Sequence, residues 1–478
     1  MSRTAAPTPL DLSAFRGQDL AVLGLGVSGL SAATALQQAG ARVQPWDDSP
    51  DRRDSAAAQG LHPTDLNDAD FTAISTLVLS PGIPHGHPHS HPIIDRARDA
   101  GCEIVCDLEL LTRSETDARY IGITGTNGKS TTTALIGHVL SELGVASAIG
   151  GNIGAPGLGL PAMGHSGVYV LELSSYQLEL LPSAVFDVAI LLNITPDHLD
   201  RHGGMDGYVA AKQRIFAGQT ASDTAIVGID DEPSAAIFND LRTGSDAHIV
   251  PLSTWDTCPG GIYVAGRWLI DDRQNTAEPV LELASLETLP GAHNAQNVAA
   301  AYAAATVIAG AAAETERAAL IAAIRSFPGL AHRQELVGFR KSVRFVNDSK
   351  ATNAEAAAHA LAAYDNIIWI AGGIAKDGGI ASLDGLFDRI DHACLIGDAA
   401  GAFAETLDGH VPHTISGDLD TAVADAARLA GDGPATVLLS PACASFDQFA
   451  SFEARGDAFK IAVHTLDGLF LPNTGGAA

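Results

Sequence analysis

The chain has 478 residues, too many for one ordinary core, and a norm of about 100–200 residues per domain divides it into three. Hydrophobic residues make up 46% and charged ones 18%, and no uninterrupted apolar run reaches the ~18 residues of a membrane span. Lys plus Arg is 28 against 56 Asp plus Glu, a formal charge of −28, so the surface repels nucleic-acid backbones and any phosphate must be held by a local device.

The first segment, "MSRTAAPTPLDLSAFRG", lacks the apolar stretch of a signal peptide. The five scattered cysteines, Cys102, Cys106, Cys258, Cys394 and Cys443, fit reduced thiols. A cytoplasmic protein is expected on both grounds. Cys102 and Cys106 are spaced to share a helix face, without a second pair to complete a zinc site.

Residues 19–23, "DLAVL", predict a strand, followed by a glycine turn and a helix closed by Gly40. Gly24, Gly26 and Gly29 fit G-x-G-x-x-G between that strand and helix, and Asp47 and Asp48 follow about 20 residues on, where a ribose-binding carboxylate stands in dinucleotide folds. "STLVLSPGI" adds a later strand, so residues 1–107 read as a small Rossmann-like α/β domain. "HGHPHSH" puts His85, His87, His89 and His91 at alternate positions; an extended chain would project all four to one side, while the prolines mark an exposed loop.

A second α/β domain, 108–329, opens with the strand, loop and helix of "ARYIGITGTNGKSTTTALIGHVL". Apolar strands recur at 167–175, 186–195 and 223–230, which predicts a parallel sheet, with a hairpin-like insert at "GGIYVAGRWLIDD" and an alanine-rich helix over 294–310. Pro328 and Gly329 break the pattern. The third domain, 330–478, begins with the strand "VRFVNDS" and continues as a further α/β unit.

The loop Thr124, Gly125, Thr126, Asn127, Gly128, Lys129, Ser130, Thr131 supplies what a triphosphate needs: backbone N–H groups at a helix N-terminus, an ammonium and a hydroxyl for Mg²⁺. It departs from G-x-x-x-x-G-K-[ST] at Ile123, where the first glycine would stand. Taken alone, the G-x-G-x-x-G turn suggests a nicotinamide-dependent dehydrogenase, which would leave Lys129 and Ser130 without work. Two nucleotide loops suit a ligase that consumes ATP and holds a substrate with a nucleotide handle.

"GTNGKST", "LELSSYQL", "NITPDHLDRHG", "AAKQRIF", "LPGAHNAQNVAAA", "AHRQE", "FVNDSKATN" and "LLSPACASFDQF" follow one another in the order found in the Mur ligases of peptidoglycan synthesis, and the chain resembles that family over nearly its whole length. The last two blocks resemble those of the member that adds D-glutamate. The resemblance implies ATP and Mg²⁺ as cofactors, UDP-N-acetylmuramoyl-L-alanine and D-glutamate as substrates, an acyl-phosphate intermediate, ordered binding with closure of the third domain, and a monomer. It makes Ser130, Glu172, His198 and a carbamylated Lys212 the metal ligands, with Lys129 at the phosphates. Asn297, Arg333, Asp348 and Lys350 would contact ATP. Lys350, Thr352, Lys376, Ser445 and Phe452 would surround D-glutamate. Val27, Ser28, Asp47, Asn152, Ser174 and Gln177 would meet the UDP substrate. Two features depart from the pattern: the histidine-rich loop, which has no counterpart, and "WDDSPDRRD", which lacks a basic residue directly after its acidic pair.

Overall fold

A computed structural model describes residues 8–471 apart from 287, 290, 311–313 and 377. Residues 8–107 carry a four-stranded parallel sheet of β1 (Asp19–Leu23), β2 (Arg42–Trp46), β3 (Thr76–Leu79) and β4 (Glu103–Val105), in the order β2-β1-β3-β4. β1 and β3 are central and almost wholly buried, which is why they read as continuous apolar runs. The helix Val27–Gln38 begins directly after the glycine turn, and a Cβ on Gly29 would lie 1.8 Å from the carbonyl oxygen of Gly24. Only glycine allows that approach. Cys102 and Cys106 bracket β4 and so do not share a helix face.

A nine-stranded sheet follows: β5 (Arg119–Thr124), β6 (Ser147–Gly151), β7 (Val168–Glu172), β8 (Val188–Leu191), β9 (Thr224–Gly228), β10 (His248–Ser253), β11 (Ile262–Ala265), β12 (Trp268–Asp271) and β13 (Glu278–Glu282). Its order is β13-β12-β11-β10-β9-β8-β5-β7-β6. Strands β6 to β10 pair in parallel with β5 among them, and the predicted hairpin is the antiparallel pair β11 and β12, extended by β13. The strand order turns back on either side of β5, so the loops after β5, β7 and β8 open side by side, the arrangement in which α/β sheets bind ligands. The predicted alanine helix spans Ala292–Ala309, with Val298 to Ala305 fully or nearly fully buried.

The chain divides into two compact units: one runs to Leu283 and resumes over His293–Arg325, and the other comprises Ala284–Ala292 and Ser326 onward. The second unit is built on β14 (Glu335–Arg340), β15 (Val343–Asn347), β16 (Ile367–Gly372), β17 (Ile374–Ala375), β18 (Ile390–Ile396), β19 (His413–Gly417), β20 (Ala435–Leu439), β21 (Cys443–Ala444) and β22 (Leu469–Phe470). Its seven-stranded sheet runs β19-β18-β16-β20-β15-β14-β22, and β17 pairs separately with β21. The predicted first strand, β15, has an antiparallel neighbour before it, β14, whose glycine at 338 breaks the apolar alternation at a register shift. Among the described residues no helix is long and apolar enough to cross a membrane.

Candidate active site

Thr124 ends β5 and is fully buried, its Oγ1 donating to the carbonyl of Leu173, so the chain leaves the sheet on a fixed footing. Gly128 caps the helix Lys129–Glu142 with φ 86°, and a Cβ there would lie 2.3 Å from Asn297 Oδ1. Glycine is therefore needed twice over, for the left-handed backbone and for the asparagine behind it. Asn297 is 2% exposed and also accepts from Thr132 Oγ1 at 3.2 Å, so it braces the loop from behind. Lys129 Nζ donates to the carbonyls of Gly125 and Thr126, both at 2.9 Å, which holds the ammonium over the loop. Ser130 is buried at the first turn. Asn127 and Thr131 lie on the same loop and helix start, Asn127 exposed and its N–H bonded to Asn193 Oδ1 at 2.9 Å.

β5 and β7 pair in register at Ile123 and Glu172, which places Glu172 beside the start of the phosphate loop. Ile123 stands where a standard loop has glycine because it is still a strand residue, fully buried in the core. Glu172 is 1% exposed; its Oε1 accepts from Asn152 Nδ2 at 2.8 Å, and its Oε2 is buried without a hydrogen-bond partner. A buried, unpartnered carboxylate oxygen is costly unless a cation or donor meets it. Lys212 is 1% exposed, with Nζ donating to the Gly125 carbonyl at 2.8 Å and lying 4.6 Å from the Tyr208 ring. Burial, and then the Lys129 charge, push its ammonium well below the ordinary lysine range, so the neutral amine is accessible.

His198 follows β8 on an exposed loop, in the left-handed region at φ 51°, its Nε2 3.4 Å from Asp197 Oδ2. Asn193 ties this loop to the phosphate loop, donating to the Asn127 carbonyl at 3.2 Å and to Gln296 Oε1 at 2.8 Å. Tyr208 joins them again, its hydroxyl 3.1 Å from Thr126 Oγ1. Asn193 and Tyr208 were not singled out from the sequence, although Asn193 opens the "NITPDHLDRHG" block.

In the first sheet, Val27 is exposed and Ser28 half-buried at the start of their helix. Asp47 is 6% exposed and accepts the N–H of Leu25 at 2.7 Å and of Ser49 at 2.9 Å, so it holds the glycine turn itself. Burial works to raise its pKa, but those N–H groups and Arg52 lower it further, leaving it below the usual carboxylate value. The missing basic residue after the acidic pair arrives one helical turn later: Arg52 lies 3.3 Å from Asp47 Oδ2, and Arg53 donates to the carbonyls of Asp47 and Asp48 while covering the Trp46 ring at 4.4 Å. Ser174 and Gln177 form a capping box on the helix Ser175–Leu178, which commits their polar groups locally.

The four histidines do not share one face. His85 Nε2 lies 3.1 Å from Glu179, His91 Nε2 is 2.9 Å from Asp48, and the His87 ring lies over Gly203.

In the second unit, Asp348 is buried at the end of β15, accepting from Ser440 Oγ at 2.7 Å and from the Gln334 N–H at 3.2 Å. Burial raises its carboxyl to about 7 even though Ser440, Gln334 and the Arg333 charge oppose the shift. Lys350 lies 4.6 Å from the Phe452 ring. Thr352 is half-buried beside it, and Ser445 is 2% exposed. Lys376 is exposed directly after β17, whose pairing with β21 brings the 376 and 445 segments together. A residue that sequence reasoning missed, Arg455, is 1% exposed and donates to Ser349 Oγ at 2.9 Å, to the Ser349 carbonyl at 2.8 Å and to the Cys443 carbonyl at 3.1 Å. It stitches the Asp348 and Lys350 turn to the segment that carries Ser445.

Family models match three consecutive stretches: the Mur ligase MurD-like N-terminal domain at residues 18–106, the Mur ligase middle domain at 123–305, and the Mur ligase glutamate ligase domain at 332–443. The chain is 50% identical over 459 residues to a UDP-N-acetylmuramoylalanine--D-glutamate ligase of Rhodospirillum rubrum, covering 94% of this chain and 95% of that one. It is 50% identical over 466 residues to the protein of the same name from Phenylobacterium zucineum, covering 96% and 98%. Among solved structures, a UDP-N-acetylmuramate-alanine ligase from Thermotoga maritima superposes with a TM-score of 0.55 at 16% identity, over 94% of this chain and 99% of that one, a likeness of fold.

Proposed function

The chain belongs to the Mur ligase family, whose members are ATP-dependent ligases, and we infer that its reaction is the one its half-identical relatives are named for, joining D-glutamate to UDP-N-acetylmuramoyl-L-alanine in the building of a peptidoglycan precursor. The observation that carries the chemistry is the meeting, at the ends of β5, β7 and β8, of a phosphate loop, a buried carboxylate with an unpartnered oxygen and a buried amine of suppressed basicity.

In this reading the L-alanyl carboxylate of the substrate attacks the γ-phosphorus of ATP and ADP departs, leaving an acyl phosphate. The amine of D-glutamate then adds to the acyl carbon, gives up a proton, and the tetrahedral intermediate collapses with loss of phosphate. Amide formation at neutral pH needs this activation because a free carboxylate has no adequate leaving group. Lys129 and the N–H groups at the start of the helix Lys129–Glu142 counter the charge that develops on the transferred phosphoryl group.

Mg²⁺ keeps several waters and takes phosphate oxygens alongside one or two protein groups, so it needs no cluster of protein ligands closed around it. The orphaned Oε2 of Glu172 fits such ions, with Ser130 and His198 as further ligands shared between them and a carbamate on Lys212 for the second ion. Such an ion supplies charge neutralisation on the phosphates. Asn152 fixes Glu172 for that task. The carbamate requires the neutral Lys212 amine to add to CO2 with loss of a proton, and the burial and Lys129 charge that suppress its protonation favour that form.

The module of residues 1–107 holds the UDP substrate through Val27, Ser28 and the turn organised by Asp47, and the module 108–329 holds ATP, with Asn152, Ser174 and Gln177 toward the substrate. The module 330–478 contributes Arg333, Asp348 and Lys350 to ATP, and Lys350, Thr352, Lys376, Ser445 and Phe452 to D-glutamate. The enzyme works in the cytoplasm as a monomer. Phosphate release with ATP, Mg²⁺ and UDP-N-acetylmuramoyl-L-alanine is measured with D-glutamate, L-glutamate, L-alanine or meso-diaminopimelate in turn. D-glutamate alone should support turnover; turnover with another of these acceptors instead would overturn the assignment.

A further inference from the structure

The histidine-rich loop has no part in the reaction as derived, yet its contacts end on the catalytic edge of the nine-stranded sheet. His85 Nε2 lies 3.1 Å from Glu179 Oε2, and the other carboxylate oxygen lies 3.3 Å from His202 Nδ1. The His202 side chain is wholly enclosed, its Nε2 2.9 Å from Ser175 Oγ and its ring stacked on Tyr176 at 5.3 Å. Tyr176 in turn touches His198 at 5.2 Å and carries the Arg201 guanidinium 4.6 Å from its ring centre, while Arg201 donates to the carbonyls of Gly82 and Ile83, just before the histidine loop. On its other side His202 meets Tyr208 at 5.4 Å, the residue bonded to Thr126 of the phosphate loop.

We propose that Glu179 is a positioning residue: bridging His85 of the first module and His202 of the second, it holds the loop that carries His198 in register with the phosphate loop. The proposal rests on the ligase reading above. That loop needs holding at His198, a non-glycine residue at φ 51°, a left-handed conformation its own backbone does not favour. Left-handed residues other than glycine persist where the surroundings over-determine them. The surroundings here are a carboxylate between two imidazoles, the Arg201 clamp, and the His87 ring, whose Nε2 lies 2.8 Å from where a Cβ on Gly203 would stand. Burial works against ionisation of Glu179, but the hydrogen bonds of His202 and His85 prevail and hold its carboxyl at about 2, so it is an anion throughout the neutral range.

Glu179→Gln keeps the size and one acceptor but removes the charge both imidazoles face. Its kcat is expected to fall about 10- to 100-fold, the usual loss when a group orienting the reacting ones is disturbed. KM for ATP and the calorimetric affinity for ATP should stay within about twofold of the unsubstituted chain, because the phosphate loop keeps its own bonds. His85→Ala should lose kcat in the same way, and His85→Gln, which retains a donor, should recover most of it. Unchanged kcat in Glu179→Gln would overturn the proposal, as would losses that merely follow the fraction unfolded in a melting curve, or no difference between the two His85 variants. If the unsubstituted chain itself releases no phosphate with D-glutamate, the ligase reading falls first and the proposal with it.

Discussion

Asp348→Asn should stabilise the second unit, and the gain should grow with pH. The buried carboxyl sits at about 7 against an ordinary value of 3.8, because desolvation outweighs the bonds from Ser440 and Gln334 and the charge of Arg333. In the unfolded chain the group ionises near 3.8, while in the folded chain it stays protonated until about pH 7. Stability is therefore undiminished by this group at pH below 3.8 and falls as pH rises toward 7, after which the penalty is constant. The shift is about 3 units, which converts to ~4 kcal/mol above about pH 8, with roughly half already present near pH 5.5. Asparagine resembles the protonated acid: its oxygen can accept the Gln334 N–H and its amide can donate to Ser440 Oγ, so no buried group is left unmet. Trp369 reports the transition, being the one tryptophan of this unit, fully buried and donating to the Ser440 carbonyl at 2.8 Å. Urea unfolding followed by its fluorescence at about pH 5.5 and 8.5 should show the variant ahead by ~2 and ~4 kcal/mol. A variant less stable at both, or ahead by the same amount at both, would refute the reasoning.

Lys129→Ala should lower kcat by about 10²–10³-fold, the loss typical when one transition-state donor is removed, with an unchanged far-ultraviolet circular dichroism spectrum. Lys212→Met should abolish turnover yet melt no lower than the unsubstituted chain, because it replaces a buried amine whose charge is disfavoured, and activity of the unsubstituted chain should drop in CO2-free buffer and return with bicarbonate. Gly29→Ala should unfold or severely destabilise the first module, since the new Cβ would stand 1.8 Å from a backbone oxygen; a melting temperature equal to the unsubstituted chain would contradict the packing described.

What was legible from the sequence is what local pattern specifies. The central parallel strands are fully or almost fully buried, so "DLAVL", "VYVLE" and "VAIL" read as short continuous apolar runs, and the turn after β5 announces itself because glycines and a helix start coincide. β14 was missed because its glycine falls at a register shift, and the short β4 because its three residues lie between two cysteines without any apolar run. The pair Cys102 and Cys106 shows the limit of spacing arguments: four positions apart fits one helix face, but an intervening strand makes the same spacing a pair of brackets.

Side-chain roles were less legible than positions, because a role depends on partners far along the chain. Asp47 stands where a ribose carboxylate belongs, yet both its oxygens accept bonds from its own neighbourhood, including Leu25 of the glycine turn. Any contact it makes to a nucleotide must therefore share lone pairs with that turn, and its first effect on binding is to shape the backbone that meets the phosphates. Glu172 shows the opposite case: Asn152 takes one oxygen and the fold leaves the other buried and unmet. A buried orphan of that kind costs about 1–3 kcal/mol or more when charged. The fold tolerates that cost at the end of β7, next to the phosphate loop, where a cation or donor brought by a ligand would meet the free oxygen.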